Sequence, residues 1–526
     1  MPELPREIAL EFSLDEPSDA AQLRLRVAQA LGLAEADLPP LALRKRSIDA
    51  RRGSVRFHVL IEIGTSETVD LGAPHPREVR EPRVLIVGGG PAGLFCAYEL
   101  ARRGIGACVL ERGKPVQPRR HSLKRLNRDG EVDPESNYCF GEGGAGTYSD
   151  GKLYTRAHKR GSVRDVIEIL ARHSAPPAIL TDARPHIGSN RLPQVVTSMR
   201  RELEQVGVQF RFDARVDGLS ITGRSERRVT GVRLADGTEL RADAVVLATG
   251  HSASDVLAML DAAGARLEAK AFALGVRIEH PQPLINEIQY GAAAKHPALP
   301  AAAYRVAETV DARGVFSFCM CPGGFIVPAS TQPAGLVVNG MSLSKRSSRF
   351  ANSGLVVGVE PADVERAGFR GVLGGVELQR ALEAAAFAAG GGKLVAPATR
   401  ATDFLAKRGS SSVPRSSYLP GLHATDVSSV LDAVGLSISE RLRRALVAFD
   451  RRLRGYVSEE AVLVGVESRT SSPVRVLRDP QSLEAVGLAG LYPAGEGAGY
   501  AGGIMSAAMD GMRIARAVIA VNAWQS

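Results

Sequence analysis

A glycine-rich turn directly after an apolar run is the first feature of this chain that could do chemistry. Residues 83–87 are predicted to form a buried strand and residues 92–103 a helix. The turn that joins them and opens the helix contains Gly88, Gly90, Pro91, Ala92 and Gly93. In such a turn the first glycine allows a sharp bend, the second lets the backbone approach a diphosphate, and the third lets helix and strand pack closely. The first N–H groups of the helix then face the phosphates, so the turn predicts a bound dinucleotide.

An acidic residue stands at the end of the next predicted strand. This strand covers residues 107–110, and Glu111 follows it, eighteen positions after Gly93. A carboxylate at this distance accepts hydrogen bonds from both hydroxyls of an adenosine ribose, and it would repel the 2′-phosphate of NADP. This βαβ unit alone allows either FAD or NAD, and a glycine turn that serves packing alone is the alternative.

Four segments resemble, in the correct order, those that hold the cofactor in glutathione-reductase-type FAD proteins. They are Glu-Arg-Gly at 111–113, the end of an apolar run at 208–216, Ala-Thr-Gly at 248–250, and the stretch 490–497. The resemblance adds these residues to the cofactor contacts: Arg112, Val216, Thr249, Gly250, Gly495 and Glu496. It implies that the backbone of Val216 contacts adenine and that a second helix N-terminus covers the diphosphate and ribityl. The predicted cofactor is therefore FAD.

Four longer motifs narrow the resemblance. Residues 141–153, 319–324, 466–475 and 495–503 together look like a family of bacterial FAD-dependent dehydrogenases without an assigned substrate. That family is similar, more distantly, to the HI0933-like proteins and to the flavoproteins grouped with fumarate reductase. The likeness covers most of the chain and implies FAD and a redox reaction.

Two of these motifs supply further candidate contacts to the flavin. Backbone amides of a glycine loop can form a nest for anionic oxygens, and hydroxyls beside it would lie near the isoalloxazine ring. The predicted residues of this loop are Gly143, Gly144, Gly146, Thr147 and Ser149, and a loop without a ligand is the alternative. The C-terminal helix begins near Gly502, Gly503 and Ile504. Its N-terminal dipole would stabilise an anionic reduced flavin.

Candidate catalytic residues lie between the cofactor segments. Arg277 and Glu279 share one face of a predicted strand, and Arg469 lies in a Ser/Thr-rich segment before the last cofactor motif. An arginine at the flavin could bind a carboxylate substrate and assist hydride transfer, whereas internal ion pairs are an equally good interpretation. Cys321 forms a C-x-C pair with Cys319. Such a pair could relay electrons as a dithiol, but thiol reductases of this superfamily usually carry C-x-x-C, so buried thiols are the default.

Composition sets the class of protein. The chain has 526 residues, which suggests about three structural units. Its net charge of +9 suits an anionic ligand. Five cysteines in a chain of this length do not indicate a disulfide framework. Neither a signal peptide nor an apolar run of about 18 residues is visible, so we expect a cytoplasmic protein without a membrane partner. The histidines show no spacing typical of a metal site.

Basic residues cluster in the first unit, where the order strand, helix, strand, strand is predicted. They are Arg44, Lys45, Arg46, Arg51, Arg52 and Arg56. A solvated surface is the ordinary interpretation of such a cluster, and an anionic partner such as RNA is the other.

These observations predict an α/β fold with a glutathione-reductase-type, Rossmann-like FAD domain. A small N-terminal α+β (βαββ) domain would cover residues 1–78, a discontinuous FAD domain 79–255 and 465–526, and an inserted α+β substrate domain 256–464. The predicted function is that of an FAD-dependent dehydrogenase with non-covalent FAD, exchanging hydride with a small molecule. No second dinucleotide motif is clear, so NAD(P)H would serve only as a transient electron donor. An FAD-dependent RNA-modifying enzyme and a flavin-bound sensor without turnover are the alternatives, and the oligomeric state is left open.

Overall fold

The first strands and helix of the chain form a small layer with its own core. The computed structural model describes residues 4–51, 54–65, 75–155, 161–522 and 524. The elements of this layer are β1 (Glu7–Phe12), α1 (Ala20–Leu31), β2 (Leu41–Asp49) and β3 (Arg56–Ile63). Strand β3 lies between β1 and β2 and is antiparallel to both. Helix α1 buries Leu23 and Val27 against Phe57 and Ile61 of β3.

Most basic side chains of this layer have partners within it. The pairs are Arg44 with Glu62, Arg51 with Asp49, and Arg56 with Glu11, while Arg46 stacks over the ring of Phe57. These contacts neutralise part of the basic cluster that the sequence offers to an anionic partner. Arg52 lies outside the described residues.

The middle of the chain alternates strands with helices before it turns to antiparallel strands. In chain order these elements are β4 (Val84–Val87), α2 (Pro91–Arg102), β5 (Ala107–Leu110), α3 (Val116–Asp129), α4 (Val163–Arg172), α5 (Leu192–Gln205), β6 (Gln209–Arg211), β7 (Val216–Thr222), β8 (Arg228–Leu234), β9 (Glu239–Arg241) and β10 (Ala244–Leu247).

The rest of the chain is mixed. It contains α6 (Ser254–Ala262), β11 (Leu267–Ala269), β12 (Phe272–Pro281), α7 (Gln282–Tyr290), β13 (Ala307–Val310), β14 (Arg313–Cys321), β15 (Gly324–Pro328), β16 (Val338–Ser342), β17 (Phe350–Val359), α8 (Pro361–Arg366), α9 (Gly374–Ala389), β18 (Ala396–Arg400), α10 (Ala401–Leu405), β19 (Leu422–Ala424), α11 (Val427–Asp432), α12 (Ile438–Arg452), β20 (Val462–Glu467), β21 (Val474–Val476), β22 (Leu491–Pro493) and α13 (Ile504–Val521).

A parallel sheet in the order β22-β10-β4-β5-β6 positions the candidate site. Every residue of β4, β5 and β10 is buried, as expected of parallel strands that are covered on both faces. Helices α2 and α13 pack against each other and share one core with this sheet. The carboxyl ends of β4, β10 and β22 therefore meet at one edge, where ligands of open α/β sheets bind.

A second large sheet runs in the order β13-β14-β17-β12-β20-β18-β19, and helices α9, α11 and α12 pack on it. The ladder between β14 and β17 shifts register between Phe318 and Cys321. This irregularity lies at the C-x-C pair. Among the described residues, no helix is both long and apolar enough to cross a membrane.

Candidate dinucleotide-binding site

The glycines of the turn after β4 have two different surroundings. A Cβ on Gly88, whose φ is +107°, would lie 2.4 Å from the carbonyl oxygen of Ala248, and a Cβ on Gly93 would lie 2.0 Å from that of Gly88. These two positions therefore require glycine for packing. A Cβ on Gly90 would meet nothing closer than the Cα of Gly144, at 3.8 Å. Gly90 thus leaves room where a ligand could approach the backbone.

The N-terminus of α2 opens onto the same space. Its cap is Gly90 and its first residue is Pro91, so in the described chain no side chain caps this helix end. The amide of Leu94 donates to the carbonyl oxygen of Gly90 at 2.9 Å. The amides of Ala92 and Gly93 lie in the first turn, where an α-helix offers no internal acceptor. They are the donors that a diphosphate would take.

Glu111 stands at the end of β5, as predicted, and its carboxylate binds backbone. One oxygen accepts from the amide of Gly89 at 2.8 Å, and the other accepts from the amides of Gly113 and Gly141 at 2.9 Å each. A carboxylate has about four lone-pair positions, so one remains for a ribose hydroxyl. Glu111 therefore ties together the three segments that surround the predicted adenosine end.

Arg112 pairs with other acidic residues. Its guanidinium pairs with Glu135 at 2.7 Å and with Asp255 at 3.0 Å, and it lies 4.3 Å from the ring centre of Phe140. These contacts join the stretch after β5 to helix α6. The contact of Arg112 with a cofactor stays a prediction.

Val216 is the first residue of β7 and is buried. The apolar run over residues 208–216 forms two strands, because the backbone turns at Asp213 with φ of +51°. After this turn the amide of Ala214 donates to the carbonyl oxygen of Glu111 at 3.0 Å. Val216 therefore lies two residues after Ala214, whose amide contacts the backbone of Glu111, the residue predicted to bind the ribose.

The second glycine loop packs directly on the first. Gly144–Gly146 form a short 3-10 turn, and the amide of Gly143 donates to the carbonyl oxygen of Gly89 at 2.9 Å. A Cβ on Gly144 would lie 3.1 Å from the Cα of Gly90. The two loops form one wall of the space in front of the N-terminus of α2, the candidate cleft.

The hydroxyls of this loop are used within it. Thr147 is buried and donates to the carbonyl oxygen of Glu142 at 2.9 Å, and Ser149 donates to that of Gly146 at 2.8 Å. They hold the loop in shape, and each oxygen retains acceptor capacity.

Arg119 of α3 holds the same loop from behind and was not predicted from the sequence. It is fully buried, and burial lowers the pKa of its guanidinium. It donates to backbone carbonyls of Asn137, Tyr138, Glu142 and Gly144. Nothing in the spacing of the basic residues of α3 distinguishes Arg119 from its neighbours. Only its contacts with backbone carbonyls of later segments identify its role.

The turn after β10 lies beside the glycine turn after β4. Thr249 and Gly250 follow this strand, and Gly250 has a φ of +73° with nothing within 4 Å of an added Cβ. A Cβ on Gly497 would lie 2.5 Å from the carbonyl oxygen of Gly250, and one on Gly495 would lie 2.8 Å from the Cβ of Ala92. Gly495 and Gly497 therefore serve packing, whereas Gly250 faces open space.

The N-terminus of α13 is open in the same way. Gly502 and Gly503 are exposed, and an added Cβ at either would meet nothing within 4 Å. The amide of Gly502 donates to the hydroxyl of Ser506 at 3.0 Å. A Cβ on Gly146 would lie 3.3 Å from the side chain of Ile504, so this helix end borders the second glycine loop.

A buried ion pair fixes the last segment. Asp510 of α13 accepts from Arg478 at 3.0 Å and from the amide of Gly495 at 2.8 Å. The guanidinium of Arg478 lies 3.5 Å from the ring centre of Tyr500. The sequence did not indicate this pair, because its members lie on segments that only the fold brings together.

Glu496 is an ionisable residue in the last predicted cofactor segment. In the described chain its half-buried carboxyl accepts no hydrogen bond. Burial raises its pKa to about 7, with Lys270 opposing and the Cys319 thiolate adding to the shift. The carboxyl can therefore change its protonation state near neutral pH.

Arg277 and Glu279 lie on β12 inside the protein. Arg277 is fully buried and pairs with Glu467 at 2.8 Å and with Asn352 at 2.7 Å. Glu279 accepts from the amide of Ser417 at 3.0 Å, and burial raises the pKa of its carboxyl. The structure thus gives Arg277 the internal ion pair that the sequence left as an alternative.

Arg469 also has an internal partner. It pairs with Glu383 at 2.7 Å and bonds the hydroxyl of Thr331 at 2.8 Å. Burial, with the charge of Arg469 added, lowers the pKa of His251 to about 4. This part of the site therefore holds a fixed positive charge beside a neutral imidazole.

Cys321 lies at the end of β14, with its sulfur 3.8 Å from the Nζ of Lys152. Lys152 follows the second glycine loop, so that loop brings an ammonium group to the C-x-C pair. The sequence motif contained Lys152 but gave no reason to connect it with the cysteines. In the described chain, no cluster of His, Cys, Asp or Glu could hold a metal ion.

Comparison with known families agrees with this geometry. A model described as FAD dependent oxidoreductase matches residues 83–122 and 188–301, and one described as FAD-dependent protein, C-terminal domain-like, matches residues 271–470. A domain of unknown function matches residues 4–64. The first match contains the βαβ unit and the turn after β10.

Solved structures similar to this chain include flavoproteins, at low identity. A geranylgeranyl bacteriochlorophyll reductase-like protein of Thermoplasma acidophilum is 13% identical, with 85% of this chain and 80% of that chain covered and a TM-score of 0.36. The protein CtdE, solved in complex with FAD, is 12% identical, with 84% and 88% covered and a TM-score of 0.31. At these values neither likeness indicates a substrate.

An uncharacterised protein of Clostridium beijerinckii is 39% identical to this chain over 537 residues, and the match covers 97% of both proteins. This match extends over nearly the whole chain, and FAD-dependent domains cover most of the region between residues 83 and 470. Together the two findings assign the family. The chain belongs, with this relative, to a family of FAD-dependent oxidoreductases.

Proposed function

We propose that this protein is a dehydrogenase that binds FAD non-covalently in the cleft between the two glycine loops and the N-terminus of α13. The observation that carries the proposal is that the glycines around this cleft fall into two groups, those that packing requires and those that face open space. Gly88, Gly93 and Gly497 are packed so tightly that a Cβ would lie within 2.5 Å of backbone oxygen. Gly90 and Gly502 face space, and packing inside the protein gives no reason for glycine there.

The residues present fit each part of such a cofactor. The first amides of α2 would hold the diphosphate, and the remaining lone pair of Glu111 would take a ribose hydroxyl. The first turn of α13 directs its positive end at the cleft, where it would stabilise negative charge on the reduced ring. Bound FAD would supply two-electron hydride chemistry.

The inferred substrate class is a small molecule. Glu496 can hold or release one proton near neutral pH, which a hydride transfer coupled to proton transfer requires. NAD(P)H would reach this cleft only as a transient electron donor.

The experiment begins with the cofactor. Heating should release FAD, identified by mass spectrometry, and release of FMN or of no nucleotide would refute the proposal. Gly90→Val should lose most of its flavin and keep its fold, because Gly90 has an extended backbone (φ −76°, ψ −175°) that valine adopts readily. Gly314→Val is the matched control, because Gly314 is exposed with 3.7 Å to its nearest neighbour. Full flavin occupancy in Gly90→Val would show that the cleft lies elsewhere.

Turnover separates an enzyme from a flavin-bound sensor. Anaerobic stopped-flow mixing with NADH, NADPH and a panel of small carboxylates, alcohols and amines should bleach the flavin band with at least one donor. Reduction followed by reoxidation over many cycles supports an oxidoreductase. A flavin that no donor reduces would support the sensor.

A further inference from the structure

The C-x-C pair and a half-buried lysine form a cluster that the proposed hydride transfer does not use. The Nζ of Lys152 lies 3.7 Å from the sulfur of Cys319 and 3.8 Å from that of Cys321. Asp150 is 3.6 Å from the same ammonium group, and Arg277 donates to the carbonyl oxygen of Cys319 at 3.1 Å. Two thiols thus share one cation.

The backbone of β14 brings the two sulfurs to this cation. Residues i and i+2 of a strand face the same side, so the side chains of Cys319 and Cys321 share one face. Two residues of fully extended chain span about 7 Å. The Cα atoms of a disulfide are at most about 6.8 Å apart, so a slight shortening of the strand suffices. Cys319 has a φ of +44°, and the ladder shifts register between Phe318 and Cys321. A bulge of this kind re-aims a side chain, here toward Lys152 and its neighbour Cys321.

The electrostatics divide the pair into one thiolate and one thiol. The pKa of Cys319 lies well below the ordinary value of a thiol because the Cys321 thiol donates to it and because Lys152 and Arg277 are close. The pKa of Cys321 is raised by the same hydrogen bond and by burial. The Cys321 thiol has a second acceptor in the carbonyl oxygen of Cys319, at 3.3 Å.

Exposure divides the pair in the same way. Cys319 is half-buried and Cys321 is fully buried, which suits one attacking sulfur and one resolving sulfur. Cys96 and Cys108 are buried as well, and burial raises the pKa of both thiols. They provide internal controls.

We propose that Cys319 and Cys321 are a redox-active dithiol that reduces low-molecular-weight disulfides, with Lys152 stabilising the attacking thiolate. The Cys319 thiolate attacks one sulfur of R–S–S–R, an S–S bond to Cys319 forms, and RS⁻ leaves with the electron pair of the broken bond. Cys321 gives its proton to RS⁻ and attacks the Cys319 sulfur, and the second RS⁻ leaves. The dithiol is oxidised to a disulfide and R–S–S–R is reduced to RSH and RS⁻.

This site borders the proposed flavin cleft. The Cys319 thiolate is close enough to Glu496 to raise the pKa of that carboxyl, and Lys152 lies on the segment that continues the second glycine loop. The inference itself does not rest on the flavin. A preparation without flavin that still forms the disulfide would keep this inference and overturn the proposed function.

The test uses the full-length protein as purified, with glutathione disulfide as the probe. After incubation, free thiols are alkylated under denaturing conditions and peptides are identified by mass spectrometry. We expect an intramolecular disulfide between Cys319 and Cys321, with Cys96 and Cys108 alkylated. In Cys321→Ser we expect a glutathione adduct on Cys319. Recovery of Cys319 and Cys321 in alkylated form from the wild type, or an adduct confined to Cys139, would overturn the proposal.

The role of Lys152 is tested by the pH dependence of Cys319 reactivity, which a purely structural role of Lys152 would not change. In the Cys321→Ser background, the rate of Cys319 alkylation by iodoacetamide is followed against pH, for Lys152→Met and for the charge-preserving Lys152→Arg. Loss of the cation should raise the pH midpoint of alkylation and slow alkylation at pH 7. The upper limit is about 30-fold, because a thiol of ordinary pKa is about 3% ionised at that pH. Lys152→Arg should restore most of the rate. An unchanged pH midpoint in folded Lys152→Met would refute the assignment to Lys152.

Discussion

A leucine at position 502 should weaken flavin binding and leave the fold intact. Gly502 is exposed, and an added Cβ there meets nothing within 4 Å. Its φ is outside the left-handed region, so leucine introduces no backbone strain. The amide of Gly502, which donates to Ser506, is kept in the variant. The change therefore fills only the space at the N-terminus of α13.

The substitution should have a small effect on the free energy of unfolding and a larger effect on the affinity for FAD. Surface substitutions without lost contacts usually change the free energy of unfolding by at most about 0.5 kcal/mol. Extra side-chain volume in a fitted space typically costs about 1–3 kcal/mol. At about 1.4 kcal/mol per factor of ten, this weakens FAD binding roughly 5- to 150-fold.

Three measurements on the same preparation test this prediction. Chemical unfolding of the apoprotein gives the free energy of unfolding, and titration with FAD, followed by quenching of flavin fluorescence, gives Kd. A redox titration of the bound flavin gives its potential. If α13 begins with small residues only for packing, Gly502→Leu should lose fold and flavin together. A folded variant with unchanged affinity and unchanged flavin potential would refute a flavin contact at Gly502.

Three further outcomes follow from particular contacts. Gly511→Ala adds one methyl group but should destabilise the apoprotein by about 1–3 kcal/mol, measured by chemical unfolding, because its Cβ would lie 2.0 Å from the carbonyl oxygen of Ala92; wild-type stability would contradict the close packing of α13 on α2. Glu467→Gln leaves the buried Arg277 charge without its anionic partner and should cost about 3–5 kcal/mol in the same assay. A loss below about 1 kcal/mol would contradict the ion pair. The pKa of Glu496 is about 7, above its ordinary 4.5, so between these values the folded state holds the proton more tightly than the unfolded state and stability falls as pH rises. Glu496→Gln should remove this part of the pH dependence, and identical slopes in both proteins would refute the shift.

Local patterns predicted the first βαβ unit well. The strand, turn, helix and strand predicted over residues 83–110 occur as β4, α2 and β5, with ends within two residues of those expected. Apolar runs of four residues between glycines specify buried parallel strands because both faces must be covered. Glu111 was placed at the end of its strand by spacing alone.

Contacts between distant segments were beyond the sequence. The carboxylate of Glu111 accepts three amides, two of them from segments 22 and 30 residues away. Arg277 pairs with Glu467, 190 residues later. Spacing along one strand placed Arg277 and Glu279 on a common face but could not show that this face is internal, since burial depends on which sheet β12 enters.

The glycines show most clearly where sequence reasoning ends. Gly88, Gly90 and Gly93 belong to one motif, yet two are required by contacts within the protein and one is not. The same division recurs between Gly497 and Gly502. A glycine that packing demands is evidence for the fold. A glycine that packing does not demand indicates a ligand only where other groups of a site surround it, as at Gly90 and Gly502 and unlike the exposed Gly314. The unexplained glycines lie beside helix ends whose first N–H groups lack partners within the helix, which is why we propose that an anionic ligand, the diphosphate of FAD, binds there.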